Sequence, residues 1–505
     1  MKKLLMMAAV CAAGFVCAER VVFVGDSITG LSENFSTGYA KQMRRALADA
    51  GRSNAFEIVC LGGSGQTVQS WQNVAKMSAT TNLQLDVKGI FVKDELDKPA
   101  DTMIIFLGMN DALSPSVGPD QKAKWLEQYQ TLIDLLKART KVSRILLAQP
   151  TMYTENPETY KNGLMRTFCS WIDQVAATNG FAVIRTHEAY QRVWEAGRLA
   201  NPDFRMTYDY VHPGTVGHLA IADAFLRALG ETKAADAWYQ KNLKSVTTGE
   251  PGALLYIVNP GSLCVKGRAS FDVRSVSVTL PAGWTVKKEI KGRDFRLVFA
   301  NPANVYDAVT EIPVTIEGKG ASVARTAKIL APWLVKNGFP GHPWNLPERY
   351  PFEEHKTAVD AQFATGAVDF SDWKIYVPNA DVNGGAYPGS IDFCSLENGR
   401  DFDFAYAAVN VISPRAGKMK MVVRTRVFSG TMHDTVWLNG VEKLRHVYYR
   451  NQAVPQEQIV ELKAGANTVW LKCAHQKWQW QSSVHFEDGD IKASELKYAL
   501  PGVAK

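Results

Sequence analysis

Arg20-Val21-Val22-Phe23-Val24-Gly25-Asp26-Ser27-Ile28-Thr29 opens on an apolar run and then breaks at a glycine. Val21 to Val24 reads as a buried strand, and Gly25 lets the chain turn sharply where that strand ends. The Ser27 hydroxyl then stands at the sheet edge near a helix start. Downstream the pattern repeats. Ser36–Ala50 reads as a helix, Phe56–Leu61 as a strand and Met103–Leu107 as another. Lys124–Arg139 carries apolar residues at helical spacing, Arg144–Gln149 is an apolar strand, Leu164–Thr178 a helix and Phe181–Arg185 a strand. Strands alternating with helices imply crossover units and a parallel sheet covered on both faces, an α/β fold. Sheets of that kind build their sites at the carboxyl edge.

Four short segments fall at such edges: Gly25-Asp26-Ser27-Ile28-Thr29, Leu61-Gly62-Gly63-Ser64-Gly65, Gly108-Met109-Asn110-Asp111 and Asp209-Tyr210-Val211-His212-Pro213. Taken singly, each has a plain structural reading. Asp26 or Ser27 could cap a helix, the glycines could form a simple turn, Asn110 could sit in another, and Asp209 could cap a helix from Pro213 to Leu229. Taken together they carry a chemistry. A serine hydroxyl is a weak nucleophile at neutral pH and needs a base. An imidazole serves as that base only if its other ring nitrogen is held by a carboxylate or carbonyl. Asp209, three residues before His212, reaches the same side on a turn entering a helix, and Pro213 suits the first helical position. His187 and His218 read as packing or surface residues instead. The G-x-S-x-G elbow of α/β-hydrolases is absent; its nearest approach is Gly62-Gly63-Ser64-Gly65-Gln66.

A serine, a glycine, an asparagine and a histidine in this order resemble the SGNH (GDSL-type) hydrolase family. The resemblance implies a flavodoxin-like parallel sheet with helices on both faces. It makes Ser27 the nucleophile, His212 the base and Asp209 the group that orients it. It also implies three donors for a developing oxyanion: the backbone N–H of Ser27, the backbone N–H of Gly62 and the side-chain amide of Asn110. The family usually carries an asparagine two places before the glycine, where this chain has Cys60. Gly62 and Gly63 therefore both stay open, with Gly62 preferred because Gly62-Gly63-Ser64-Gly65 aligns with the usual G-x-x-G. No metal-ligand pattern and no phosphate-cradling loop with its lysine is present, so hydrolysis without a cofactor is expected.

Lys2 and Lys3, an apolar run from Leu4 to Val16, and small residues at Cys17 and Ala18 form a secretory leader with cleavage expected after Ala18. The run is shorter than the roughly 20 residues a bilayer span needs, so no stable membrane insertion is expected once the leader is gone. Val10 and Val16 fit poorly before a lipidated Cys11 or Cys17, which makes a lipoprotein the minority reading. The protein is expected in the periplasm or outside the cell. Cys60, Cys169, Cys264, Cys394 and Cys473 are widely spaced and odd in number, neither a disulfide framework nor a metal site. The formal charge of +7 loses only the two leader lysines. Spread over so long a chain, the remainder does not argue for nucleic acid as a partner.

At 505 residues the chain exceeds one hydrophobic core. We expect a hydrolase domain over 19–246, following the leader at 1–18. From 252 to 331 the alternation shortens to period two, as in Ser275-Val276-Ser277-Val278-Thr279-Leu280, which suggests a small Ig-like antiparallel sandwich. Residues 332–364, with Pro332, Pro340, Pro343 and Pro347, read as a surface linker. Residues 365–505 again read as strands and turns. Val436-Trp437-Leu438-Asn439-Gly440 and Leu462 to Leu471 are similar to segments of the β-jelly-roll modules of secreted carbohydrate-active enzymes.

Members of the resembled family cleave acetyl groups from polysaccharides, fatty acids from lipids, or thioesters. Connections near the motifs, such as Ser114 to Pro119, are short and polar and offer no fatty-acyl channel. A leader, β modules, and Trp373, Trp437, Trp470, Trp478 and Trp480 fit a glycan target, although tryptophans are commonly core. Trp478 and Trp480, on alternate strand positions, would share one face as a substrate platform. The expected function is an exported O-acetylesterase acting on an O-acetylated polysaccharide or oligosaccharide. Two alternatives stand beside it: a lipase, lysophospholipase or thioesterase of the same fold, and a glycan-binding surface protein without catalysis. Oligomeric state is not legible.

Overall fold

The computed structural model describes residues 18–502 apart from 114–120, 245–249, 341–358, 360–361, 364–367, 379–388, 394–395, 397–402, 427–428, 450–454 and 478–480. The N-terminal domain is a five-stranded, all-parallel sheet of β1 (Glu19–Gly25), β2 (Phe56–Gly62), β3 (Ala100–Phe106), β4 (Val142–Ala148) and β5 (Ala182–Ile184). Its strand order is β2-β1-β3-β4-β5, the flavodoxin-like order whose switch point lies between β1 and β3. Val21, Val22, Phe23 and Val24 on the interior strand β1 are fully buried, as a strand covered on both faces requires.

Among the described residues, ten helices connect or flank these strands: α1 (Ser27–Asn34), α2 (Tyr39–Asp49), α3 (Val68–Met77), α4 (Val92–Leu96), α5 (Met109–Leu113), α6 (Lys122–Arg139), α7 (Tyr160–Asn179), α8 (Thr186–Ala200), α9 (Thr215–Ala228) and α10 (Thr232–Asn242). α1, α2, α8, α9 and α10 pack with one another, and α3, α5, α6 and α7 form a second group. No described helix is long and apolar enough to cross a membrane. α9 begins at Thr215 rather than at Pro213: Pro213 is bridged to Thr207, and Gly214 takes the N-cap position. The proline closes a loop there instead of opening a helix.

Two antiparallel sheets follow. One is β6 (Ala253–Val258), β7 (Leu263–Ala269), β10 (Asp294–Ala300) and β9 (Thr285–Lys291). The other is β12 (Ser322–Leu330), β11 (Val309–Glu317) and β8 (Ser275–Val278). Val265, Leu297 and Phe299 of the first share a buried core with Val276, Ile312 and Val314 of the second, so this segment is a sandwich. The C-terminal part is a second sandwich of a seven-stranded and a four-stranded sheet. Between these sheets lie Val409, Val411, Val436 and Leu471 on one side and Met419, Met421, Val423 and Phe486 on the other.

The expected linker over 332–364 does not begin where its prolines suggested. Trp333–Pro340 is a strand, β13, of the seven-stranded sheet, paired with residues 374–376 and 403–413. Trp333 and Val335 enter one buried core while Leu334 enters the other, so three consecutive apolar residues serve two faces at period two. Gly338 takes a positive φ of 86° where the register with the neighbouring strand shifts. Pro340 is tolerated at the strand's end. Trp373 and Trp470 are buried in the core, and Trp437 packs partly buried against it, so these three are not a sugar platform. Trp478 and Trp480, and also Cys394 and residues 1–17 of the expected leader, lie outside the described residues. Cys60, Cys169, Cys264 and Cys473 are buried thiols.

Candidate active site

Gly25 ends β1, and a side chain there would meet Thr29 Oγ1 at 2.0 Å, so glycine is what allows α1 to start directly after the strand. Asp26 caps that helix, its Oδ1 accepting from Ile28 N at 2.9 Å. Ser27 is the first helical residue, held at the carboxyl end of β1. The capping reading and the hydroxyl at the edge are therefore both true, of neighbouring residues.

The second half of the site comes from the loop between α8 and α9. Gly214 N donates to Met206 O at 2.7 Å and Tyr208 N to His212 O at 3.1 Å, closing a tight loop whose tip is Asp209 to His212. Asp209 Oδ1 accepts the backbone N–H groups of Val211 at 3.1 Å and His212 at 2.8 Å, which folds the tip back on itself. The same carboxylate's Oδ2 lies 2.6 Å from His212 Nδ1. His212 Nε2 lies 2.8 Å from Ser27 Oγ. Residues 185 apart in sequence thus meet as a hydroxyl, an imidazole and a carboxylate in hydrogen-bond series. Burial raises the Asp209 carboxyl, but hydrogen bonds and attraction from His212 outweigh it and hold the group below the usual carboxylate range.

Asn110 is the second residue of α5, and its side-chain amide donates to Gln66 O at 3.0 Å. Asp111 reaches the start of α3: its Oδ1 accepts from Val68 N at 3.1 Å and from Trp125 Nε1 at 2.8 Å. Burial pushes Asp111 up to about 6 and Asp26 up to about 7.

The two glycines left open by the sequence are separated by the geometry. Gly62 is buried beneath α1, where a Cβ would lie 2.1 Å from Gly30 N, so close packing of strand against helix explains its identity. Gly63 N donates to Gly25 O at 3.3 Å, one residue past the end of β2. Gly65, which neither reading singled out, has φ +70° and turns the chain so that Gln66 N meets Gly63 O at 3.3 Å. It is partly exposed and directly precedes Gln66, whose carbonyl holds Asn110. Its signal was present in Ser64-Gly65-Gln66, a glycine where a turn needs positive φ.

The other histidines are set apart. His187 Nδ1 lies 3.0 Å from Pro150 O, and burial lowers the ring below the ordinary histidine value. His218 is fully buried between Phe35 and Tyr39, and burial pushes it down to about 3. Among the described residues no group of three or more His, Cys, Asp or Glu side chains is placed to hold a metal ion.

Fold and site together define a hydrolase domain of the SGNH type. Residues 23–220 match the GDSL-like Lipase/Acylhydrolase family. An acetylxylan esterase of Geobacillus stearothermophilus is 26% identical over 226 residues, 42% of this chain and 94% of that protein. Similar solved structures include an acetyl xylan esterase at 21% identity and TM-score 0.33, covering 42% of this chain and 99% of that one. A catalytic mutant of the G. stearothermophilus acetylxylan esterase aligns at 22% and TM-score 0.33, covering 42% and 94%. The family match ends at residue 220, so both β-sandwiches lie beyond it.

Proposed function

We propose that this protein is an exported serine esterase that removes acetyl groups from a polysaccharide or oligosaccharide. The observation that carries the esterase chemistry is the 2.8 Å approach of Ser27 Oγ to His212 Nε2, with Asp209 on the far ring nitrogen. With Nδ1–H donated to Asp209, the Nε2 lone pair is free to take the Ser27 proton as Oγ attacks the ester carbonyl. The carbonyl π pair moves onto oxygen, and the imidazolium then returns the proton to the departing sugar hydroxyl as the acyl–oxygen bond breaks. Water repeats the sequence on the acyl-enzyme and releases acetate. For the oxyanion we assign Ser27 N–H at the start of α1 and the Asn110 amide, which has a second hydrogen beyond the one given to Gln66 O. We place the third donor at Gly65 rather than Gly62, because Gly65 is the accessible glycine beside Asn110 and Gly62 is packed under α1.

The acetyl preference is supported by the acetylxylan esterase relative, and export by the apolar leader. The test is hydrolysis of an ester series from acetyl to long-chain acyl, with wild type beside Ser27→Ala. The reading predicts activity on acetyl and propionyl esters that disappears in the variant. A preference for long chains would move the substrate to lipids, and full activity in Ser27→Ala would remove the mechanism.

A further inference from the structure

In the N-terminal domain only three large hydrophobic side chains are exposed among the described residues: Phe35, Met77 and Tyr208. Phe35 and Tyr208 are neighbours. Their rings meet edge to face with centroids 5.9 Å apart, at 37% and 43% exposure. Phe35 is the C-cap of the helix that Ser27 begins, and Tyr208 precedes Asp209. The Tyr208 ring lies within 18° of parallel to the His212 ring, 5.7 Å away, so one face covers the imidazole. The exposed remainder of the two rings forms a small open aromatic ledge beside the His212 imidazole. An exposed apolar pair at such a place marks a binding surface.

A polar pair accompanies it. Ser64 Oγ donates to Asp86 Oδ2 at 2.6 Å, and both residues are exposed. Asn34, next to Phe35, donates to Asp86 O at 3.1 Å, and the Asp86 side chain lies against Gly30, one turn along α1 from Ser27. Flat aromatic surface and exposed hydroxyl and carboxylate oxygens therefore share the rim of one site.

We propose that Phe35 and Tyr208 are the sugar-binding ledge of this active site, stacking the C–H face of the acetylated ring while Ser64 and Asp86 bind its hydroxyl edge. The proposal rests on the carbohydrate-esterase reading above and names the surface that selects the substrate. A pyranose ring is amphipathic, with C–H bonds on its face and hydroxyls around its rim. An open ledge suits it, because the face is covered while the rim stays hydrated. An alkyl chain gains by enclosure on all sides, which two rings more than a third exposed do not provide.

The test compares full-length wild type with Tyr208→Ala, Tyr208→Trp and Phe35→Ala on acetylated xylotriose and on ethyl acetate, an ester with no sugar face. Tyr208→Ala should lose about tenfold in kcat/KM on the sugar ester, mainly through KM, and distinctly less on ethyl acetate; Tyr208→Trp should recover most of it. Phe35→Ala should move in the same direction by less. Equal losses on both esters would overturn the ledge, reducing Tyr208 to support of His212 while the esterase reading stands. A loss confined to esters of longer acids would make the surface an acyl site and overturn it likewise. Hydrolysis of ethyl acetate but not of the sugar ester by wild type would overturn the ledge and the carbohydrate reading together.

Discussion

Asp26 and His218 both feel the charge of His212, yet they move in opposite directions for one reason, the cost of burying charge. Asp26 is raised to about 7 by burial, against an unfolded value of about 3.9. The folded state therefore holds a proton that the unfolded chain releases, and the stability this gives is lost as pH rises from about 4 through about 7. His218 is lowered to about 3 by burial, so its contribution is lost as pH falls below the ordinary histidine value. Asp26→Asn keeps an oxygen that can accept from Ile28 N while removing the titration. Because His218 contributes equally to both proteins, thermal unfolding between pH 5 and 8 should show the wild type losing stability relative to the variant as pH rises. Parallel curves for the two proteins would show that Asp26 is ionised throughout.

At the scale of elements, the loop carrying Asp209 and His212 is held from behind by a residue the motifs do not include. Glu155 Oε1 accepts from Met206 N at 2.9 Å, Thr207 N at 2.8 Å and Thr207 Oγ1 at 2.9 Å. Next to it Thr154 N donates to Tyr210 O at 2.7 Å, joining two non-glycine residues with φ of +59° and +85°. Such conformations cost on the order of 1–3 kcal/mol each and persist only where surroundings impose them. Glu155→Ala should lower kcat on an acetyl ester by roughly tenfold or more with KM little moved, and Glu155→Gln should recover part of it through its remaining acceptor. A change confined to KM would place Glu155 in substrate binding instead.

The strands and the four motif segments were legible because each is local. A run such as Val21–Val24 states its own burial, and Asp209 and His212 meet across three residues. What escaped was set by distant partners. Gly62 looked like the donor because its neighbours align, yet its identity answers to Gly30 in another element. Trp333–Pro340 read as linker because prolines outvoted three apolar residues whose two cores lie far along the chain. Tyr208 and Phe35 gave no signal, since exposure is not written in residue type.

At the scale of the whole molecule, every residue assigned to the chemistry lies between Ser27 and His212, within the family match. Among the described residues of the β region, Leu254 joins the buried core of that domain and Tyr256 packs partly buried against it. The contacts across the boundary are nevertheless specific. Asn156, next to Glu155, donates to Ile257 O at 2.7 Å, Arg325 donates to Leu199 O at 3.2 Å, and Lys266 pairs with Glu158 at 2.7 Å. The first sandwich thus braces the segment that braces the histidine loop. The account stands on Ser27 as the group that becomes acylated. The most direct measurement is to treat the full chain with a serine-directed fluorophosphonate, locate the adduct by mass spectrometry of peptides, and follow acetate release in parallel. We predict one adduct, on Ser27, forming at the rate at which activity is lost. An adduct on another serine, or full loss of activity with Ser27 unmodified, would contradict it.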